Sequence, residues 1–369
     1  MEAEILSLIK VWIGVFACLS YCYAINKIVS RGPARLLCVL PVVFIFLFLP
    51  LNLNSVHLGG TTAFFISWLG NFKLLLFAFG KGPLCSDSSI SLGRFVAVAC
   101  TPIKIHQKKH PSPPISHLNG KNKEIPKGRQ IFFPLRYVVI GVLLAILIRI
   151  YDYSEHIHPK VILFLYCFHI YFLLEIILAM VAALARALLG VELEPQFNEP
   201  YPTTSLQDFW GRRWNLMVSS ILRPTVYDPT RHAMTRVVGR KWVSIAAILA
   251  TFVVSGLMHE LMFYYLGCVN STWEVTWFFL LQGSCLAVEV VLKKAVFASR
   301  WRLPQLVSGP LTIGFVMVTC FWLFFPQFLR CKVDERALEE CAALGKFVKN
   351  VTRTLTYKFS TFFGITLSI

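Results

Sequence analysis

Trp242–Leu266 reads WVSIAAILATFVVSGLMHELMFYYL, a stretch in which His259 and Glu260 are the only ionisable residues. A helix crosses the hydrocarbon core with about 20 apolar residues, whereas a barrel strand alternates and needs only ~10. The stretch is therefore a membrane span. The same reading applies to Ile5–Ile25, Leu36–Leu51, Thr61–Phe79, Phe132–Ile150, Val161–Leu189, Glu274–Leu292 and Leu311–Leu329, with a weaker candidate at Phe347–Ile369. Lipid pairs with no backbone polar group, so such segments are helices. The fold expected is all-α, a polytopic transmembrane helical bundle of about 8–9 spans.

Composition agrees. Hydrophobic residues make up 56% of the chain and charged ones 15%, against roughly 45–50% and about 25% in soluble domains. The formal charge of +17 would suggest nucleic acid in a soluble protein. Here the basic residues gather at Lys27–Arg35, Lys81–Arg129, Arg212–Lys241 and Lys293–Arg302. The alternate connections, Leu51–Gly60, Tyr151–Lys160 and Gly267–Trp273, hold one Lys and no Arg. That is the positive-inside pattern, which puts the basic loops in the cytosol and the N-terminus in the lumen. No nucleic-acid partner is expected. Glu2 and Glu4 head a segment without a cleavage site, so it does not read as a removable signal. The eleven cysteines are scattered, without metal-ligand spacing, and read as buried apolar residues with neither a disulfide framework nor a metal site. Asn270-Ser271-Thr272 is a sequon on a loop too short to favour modification.

The chain reads as one integral-membrane domain over 1–369, without internal repeats. A flexible basic cytosolic loop is expected at about 103–130, its histidines His106, His110 and His117 lying at the surface. A folded membrane-surface segment is expected at about 190–241. Within the latter, Ser205 and Asp208 mark a helix start. Continued as one helix, Leu206, Trp210, Trp214, Met217 and Ile221 form an apolar stripe. Asp208, Arg212, Asn215 and Ser219 form a polar one, with Asp208 and Arg212 placed to pair. Anchoring accounts for the Trp residues but not for Asn215 or the Asn198-Glu199-Pro200 turn.

Ionisable groups inside spans are expensive and mark function or helix pairing. They are His169, Glu175 and Arg186, then His259 and Glu260, then Glu289 with Lys293 four residues on. Glu289 and Lys293 suit structural pairing, and the role of Glu175 and Arg186 is open. Helical spacing puts Phe252, Ser255, Gly256, His259 and Phe263 on one face. Ser255 and Gly256 leave little bulk beside the imidazole, which allows either tight helix packing or room for a substrate next to a base. A buried structural histidine is the competing reading. A transporter or channel would also place polar groups in spans, but the chain has no inverted repeat, paired broken helices or ring of charge.

Asn198-Glu199-Pro200-Tyr201 and Asp208-Phe209-Trp210-Gly211-Arg212-Arg213-Trp214-Asn215 resemble the signature of the plant wax synthase-like group of the membrane-bound O-acyltransferase superfamily. Ser255-Gly256-Leu257-Met258-His259-Glu260 resembles its histidine motif, and Val56-His57-Leu58-Gly59-Gly60 and Asn71–Phe77 are similar to its N-terminal segments. The resemblance covers nearly the whole chain. It implies an endoplasmic reticulum membrane enzyme with a central reaction chamber, reached by acyl-CoA from the cytosol and by a lipid acceptor from the bilayer. Acyl-CoA would be the co-substrate, with no bound cofactor and no metal. The acceptor implied is a long-chain fatty alcohol, giving wax esters; diacylglycerol acetylation and sterol acylation are the alternatives. By similarity His259 is the general base and Asn215 its partner, orienting the ring or binding the oxyanion. Asp208, Trp210, Arg212, Arg213, Trp214, Asn198, Glu199, Ser255 and Glu260 would support the site or bind substrate. Arg212, Arg213 and Arg223 lie where coenzyme A phosphates would arrive.

Overall fold

A computed structural model describes residues 2–85, 90–102, 128–189, 197–268, 270–296 and 304–363. Among them there are helices and no strands. The expected basic loop falls largely outside the described residues, as do Pro195 and Gln196. The first three spans are α1 (Glu2–Ile28), α2 (Pro33–Phe48) and a composite made of α3 (Val56–Ala63), a π-helical segment Phe64–Gly70, and α4 (Asn71–Ala78). They close over a buried layer that includes Val15, Leu19, Phe46, Leu74 and Phe77. The composite span is the most deeply enclosed, with 78% of its apolar window buried inside the protein. α5 (Leu92–Cys100) packs beside it. Its last turn is held by Lys73, whose buried Nζ donates to the Val98 and Thr101 carbonyls at 2.6 and 2.5 Å.

The chain then crosses by α6 (Gly128–Tyr151) and α7 (Pro159–Leu189). The surface segment follows, containing α8 (Leu206–Asp208) and α9 (Leu216–Leu222). α10 runs from Asp228 to Tyr265 and is broken at Gly239, whose φ of 75° favours a residue without Cβ. The break separates a surface stretch from the span at Trp242–Tyr265. α11 (Glu274–Val296), α12 (Gln305–Leu323), the short α13 (Phe325–Arg330) and α14 (Val333–Phe363) complete the chain.

Seven of the expected spans coincide with helices long and apolar enough to cross a membrane. The eighth, Phe132–Ile150, lies within the 24-residue helix α6. The weaker closing candidate is described only to Phe363, and over that part it does not join them. Residues 347–363 belong to α14, which begins at Val333 and carries Lys346, Lys349 and Arg353 along its middle. It is an amphipathic helix, apolar on one side only.

The connections poor in Lys and Arg gather on one face. Glu4 accepts from the Asn54 and Ser55 N–H groups at 2.8 Å, and Arg336 donates to the Asn54 and Leu266 carbonyls. Arg330 pairs with Glu274, and Tyr166 donates to Asp334 at 2.9 Å. Glu340 accepts from Ser55 Oγ and from the N–H groups of Val56 and His57, and lies 2.8 Å from His57 Nδ1. Burial pushes the Glu340 carboxyl up, but these donors hold it down to about 2. α14 is thus clamped on the N-terminus of α3, where a helix end has free N–H groups.

One sequence expectation is corrected on this face. Cys268 and Cys331, 63 residues apart, form a disulfide with Cα atoms 5.4 Å apart, leaving nine free cysteines. Pairing over such a distance leaves no spacing signal.

Candidate active site

His259 is half-buried about three-quarters of the way along the α10 span. Its Nδ1 lies 2.7 Å from the Ser255 carbonyl oxygen. A carbonyl only accepts, so Nδ1 carries the proton and Nε2 presents a lone pair. That backbone contact is the ring's one hydrogen bond among the described residues. Three aromatic rings wall it. Phe279 of α11 is 4.3 Å away between centroids, Trp68 of the π segment meets it edge-on at 4.9 Å, and Phe324 stands at 6.0 Å.

The neighbours of His259 divide between packing and chemistry. A Cβ on Gly256 would stand 3.1 Å from Thr276 Cα, so Gly256 lets α10 and α11 approach closely. Ser255 serves through its carbonyl. Glu260 turns away from the imidazole. Its buried carboxylate accepts from Ser271 Oγ, Thr276 N–H and Thr276 Oγ1, capping the start of α11. Among the described residues, then, no carboxylate partners His259.

The surface segment is not the continuous helix that its periodicity predicts. After α8, residues Phe209–Arg213 form a π turn, Trp214 is extended, and Asn215 has the left-handed φ of 37°. In a π turn position i faces i+5, so Asp208 pairs with Arg213 at 2.6 Å instead of the expected Arg212, which is exposed. Burial raises the Asp208 carboxyl, yet the Arg213 guanidinium and the Thr204 N–H hold it below the usual range. Arg213 also donates to the Glu199 carbonyl at 3.0 Å, and its own carbonyl accepts from Asn198 N–H. Asn198, Glu199, Asp208 and Arg213 therefore form one lock on the motif. Trp214 stacks on Phe209 and meets Phe197 edge-on. Asn215 is the N-cap of α9, its side chain accepting from Val218 N–H at 3.3 Å. Asn is among the few residues tolerated in this conformation. No hydrogen bond joins Asn215 to His259 among the described residues.

Trp210 makes the connection inward. Its ring packs on Phe252, Phe278 and Phe279, and its Nε1 donates to Gln282 Oε1 at 3.1 Å. Gln282, fully buried, passes the contact to Thr319 at 2.7 Å. Its position inside an apolar span was the available signal, but attention to ionisable residues alone missed it. Glu289 and Lys293 pair as expected at 2.6 Å, and Glu289 also accepts from Leu206 N–H, tying α11 to the start of α8. Glu175 finds Arg136 of α6 at 2.7 Å, while Arg186 is exposed. His169 stacks on Tyr151 at 5.6 Å, and His57 belongs to the Glu340 clamp.

The π segment borders both halves of the site. Phe65 and Leu69 join Met217 and Ile221 of α9 in one cluster, while Trp68 faces His259. Trp68 is 3% exposed, and its Nε1 has no hydrogen-bond partner among the described residues. A buried donor left unpaired costs about 1–3 kcal/mol. A cleft of about 340 Å³ between α6, α7 and Tyr201 lies elsewhere, lined by none of the three rings that touch His259.

The helices define a polytopic membrane protein with one imidazole enclosed among them. Residues 193–281, which hold the surface segment and His259, match the Membrane bound O-acyl transferase family. The chain is 50% identical to acyl-CoA–sterol O-acyltransferase 1 of Arabidopsis thaliana, with 95% of this chain and 98% of that protein covered. It is 49% identical to the long-chain-alcohol O-fatty-acyltransferase of Simmondsia chinensis, covering 95% and 97%, and 45% identical to the probable long-chain-alcohol O-fatty-acyltransferase 1 of Arabidopsis thaliana, covering 95% and 99%. The chain belongs to the membrane-bound O-acyltransferase family and is a multi-pass O-acyltransferase.

Proposed function

We propose that the protein transfers the acyl group of acyl-CoA to the hydroxyl of a long-chain fatty alcohol at the endoplasmic reticulum membrane, giving a wax ester. The observation that carries the chemistry is His259, with Nδ1 tied to the Ser255 carbonyl and Nε2 left free between aromatic walls. Nε2 takes the proton of the acceptor hydroxyl. The alkoxide oxygen bonds to the thioester carbon, the carbon–sulfur bond breaks, and the imidazolium returns the proton to the departing thiolate. No covalent enzyme intermediate forms. Since Ser255 already orients the ring and Asn215 Oδ1 caps α9, the role left for Asn215 is donation from Nδ2 to the thioester oxygen. Exposed Arg212 on the basic face suits the phosphates of coenzyme A.

The acceptor rests on the long-chain-alcohol relatives. A sterol acceptor is the second reading, favoured by the sterol acyltransferase relative at 50% identity. Expression in yeast lacking its own neutral-lipid acyltransferases decides between them. Wax esters made from supplied fatty alcohol, with sterol esters at background, are expected. Sterol esters alone contradict the alcohol reading.

A further inference from the structure

We propose that the indole N–H of Trp68 hydrogen-bonds the thioester carbonyl oxygen during acyl transfer, making Trp68 a third substrate-contacting group beside His259 and Asn215. The proposal rests on His259 being the base. Three observations meet at Trp68. Its ring is 4.9 Å from the imidazole, the donor is buried and unpaired, and it sits on a π-helical segment. π turns re-aim side chains and recur at functional sites. Here the turn lies between His259 on one side and the α9 cluster that follows Asn215 on the other. Packing alone is served by apolar side chains that bury no polar hydrogen, so it does not account for the indole N–H.

The chemistry selects which substrate oxygen the donor serves. The acceptor hydroxyl must give its proton to Nε2 and attack through its lone pair. A donor bonded to that oxygen would weaken it as a nucleophile. The thioester oxygen instead gains negative charge as the new carbon–oxygen bond forms, and loses it as the carbon–sulfur bond breaks. A fixed donor in a dry site favours that charge most at the transition state. An indole N–H only donates, so it suits an oxygen that only accepts.

The test uses the full-length protein in isolated membranes with labelled acyl-CoA and a long-chain alcohol. Trp68→Phe keeps an aromatic ring and removes the donor, leaving a small gap where the five-membered ring stood. It is expected to lower kcat about 100-fold, with KM for both substrates little changed and a fall in thermal midpoint no larger than that of Phe64→Leu. Phe64→Leu disturbs the ring that packs on Trp68 at 5.5 Å and is expected to keep most of the turnover. Near-wild-type kcat in Trp68→Phe overturns the proposal. So does an equal loss of turnover in Phe64→Leu, which marks packing. His259→Ala separates the two readings. If it is inactive while Trp68→Phe is fully active, only the Trp68 assignment falls. If His259→Ala stays active, the base assignment falls and takes the transfer geometry argued for Trp68 with it.

Discussion

Asn215 carries two demands at once. Its backbone is left-handed, and its side chain caps the helix that starts at Leu216. Alanine meets neither demand, and Asn215→Ala is expected to lose about 1–2 kcal/mol of stability. Glycine accepts the backbone conformation and caps tolerably. Asn215→Gly should therefore melt close to wild type while losing as much turnover as Asn215→Ala, as read by thermal melts and ester formation in parallel. Equal activity of Asn215→Gly and wild type would reduce Asn215 to a cap. Asp208 and Arg213 belong to the same scale. Both are mostly buried and 2.6 Å apart, so a double-mutant cycle through Asp208→Asn and Arg213→Gln should give a coupling of about 1–2 kcal/mol. His259 was legible in the sequence because an imidazole deep in an apolar run is conspicuous. Trp68 was not, since an indole counts as apolar and only three-dimensional structure reveals an unpaired N–H.

Elements succeed or fail here by how closely they approach. A Cβ at Gly283 would stand 2.7 Å from Phe252 Cβ, across the contact that also positions His259. Gly283→Ala is expected to destabilise by about 1–3 kcal/mol and reduce turnover with it, measurable as a lower yield of folded protein. The α14 clamp makes a prediction about pH. The folded Glu340 carboxyl at about 2 lies below the unfolded value of about 4.3, so its contribution is complete above that higher value and is lost as pH falls toward 2. The difference in thermal midpoint between wild type and Glu340→Gln should shrink as pH falls from about 5 toward 2. A difference that grows over that range contradicts the clamp. Periodicity could announce a helix start at Ser205 but not its π turn at Phe209–Arg213. Hydrophobic spacing over two turns scarcely distinguishes 3.6 residues per turn from a locally wider one, and the expected Asp208–Arg212 pairing was lost with it.

For the whole molecule, the spans were written plainly in the sequence. A bilayer imposes contiguous apolar runs, and charge sorts the loops between them. The cluster of Glu4, Arg336, Glu340 and the Cys268–Cys331 bridge joins residues 51 to 283 positions apart, which no local pattern encodes. In the proposed reaction, the helices and aromatic walls hold one imidazole where lipid alcohol and thioester meet without bulk water. The most direct measurement of that claim is ester formation from labelled acyl-CoA and a long-chain alcohol by membranes containing His259→Ala at wild-type abundance. A loss of at least about 100-fold is predicted; near-wild-type ester formation would contradict it.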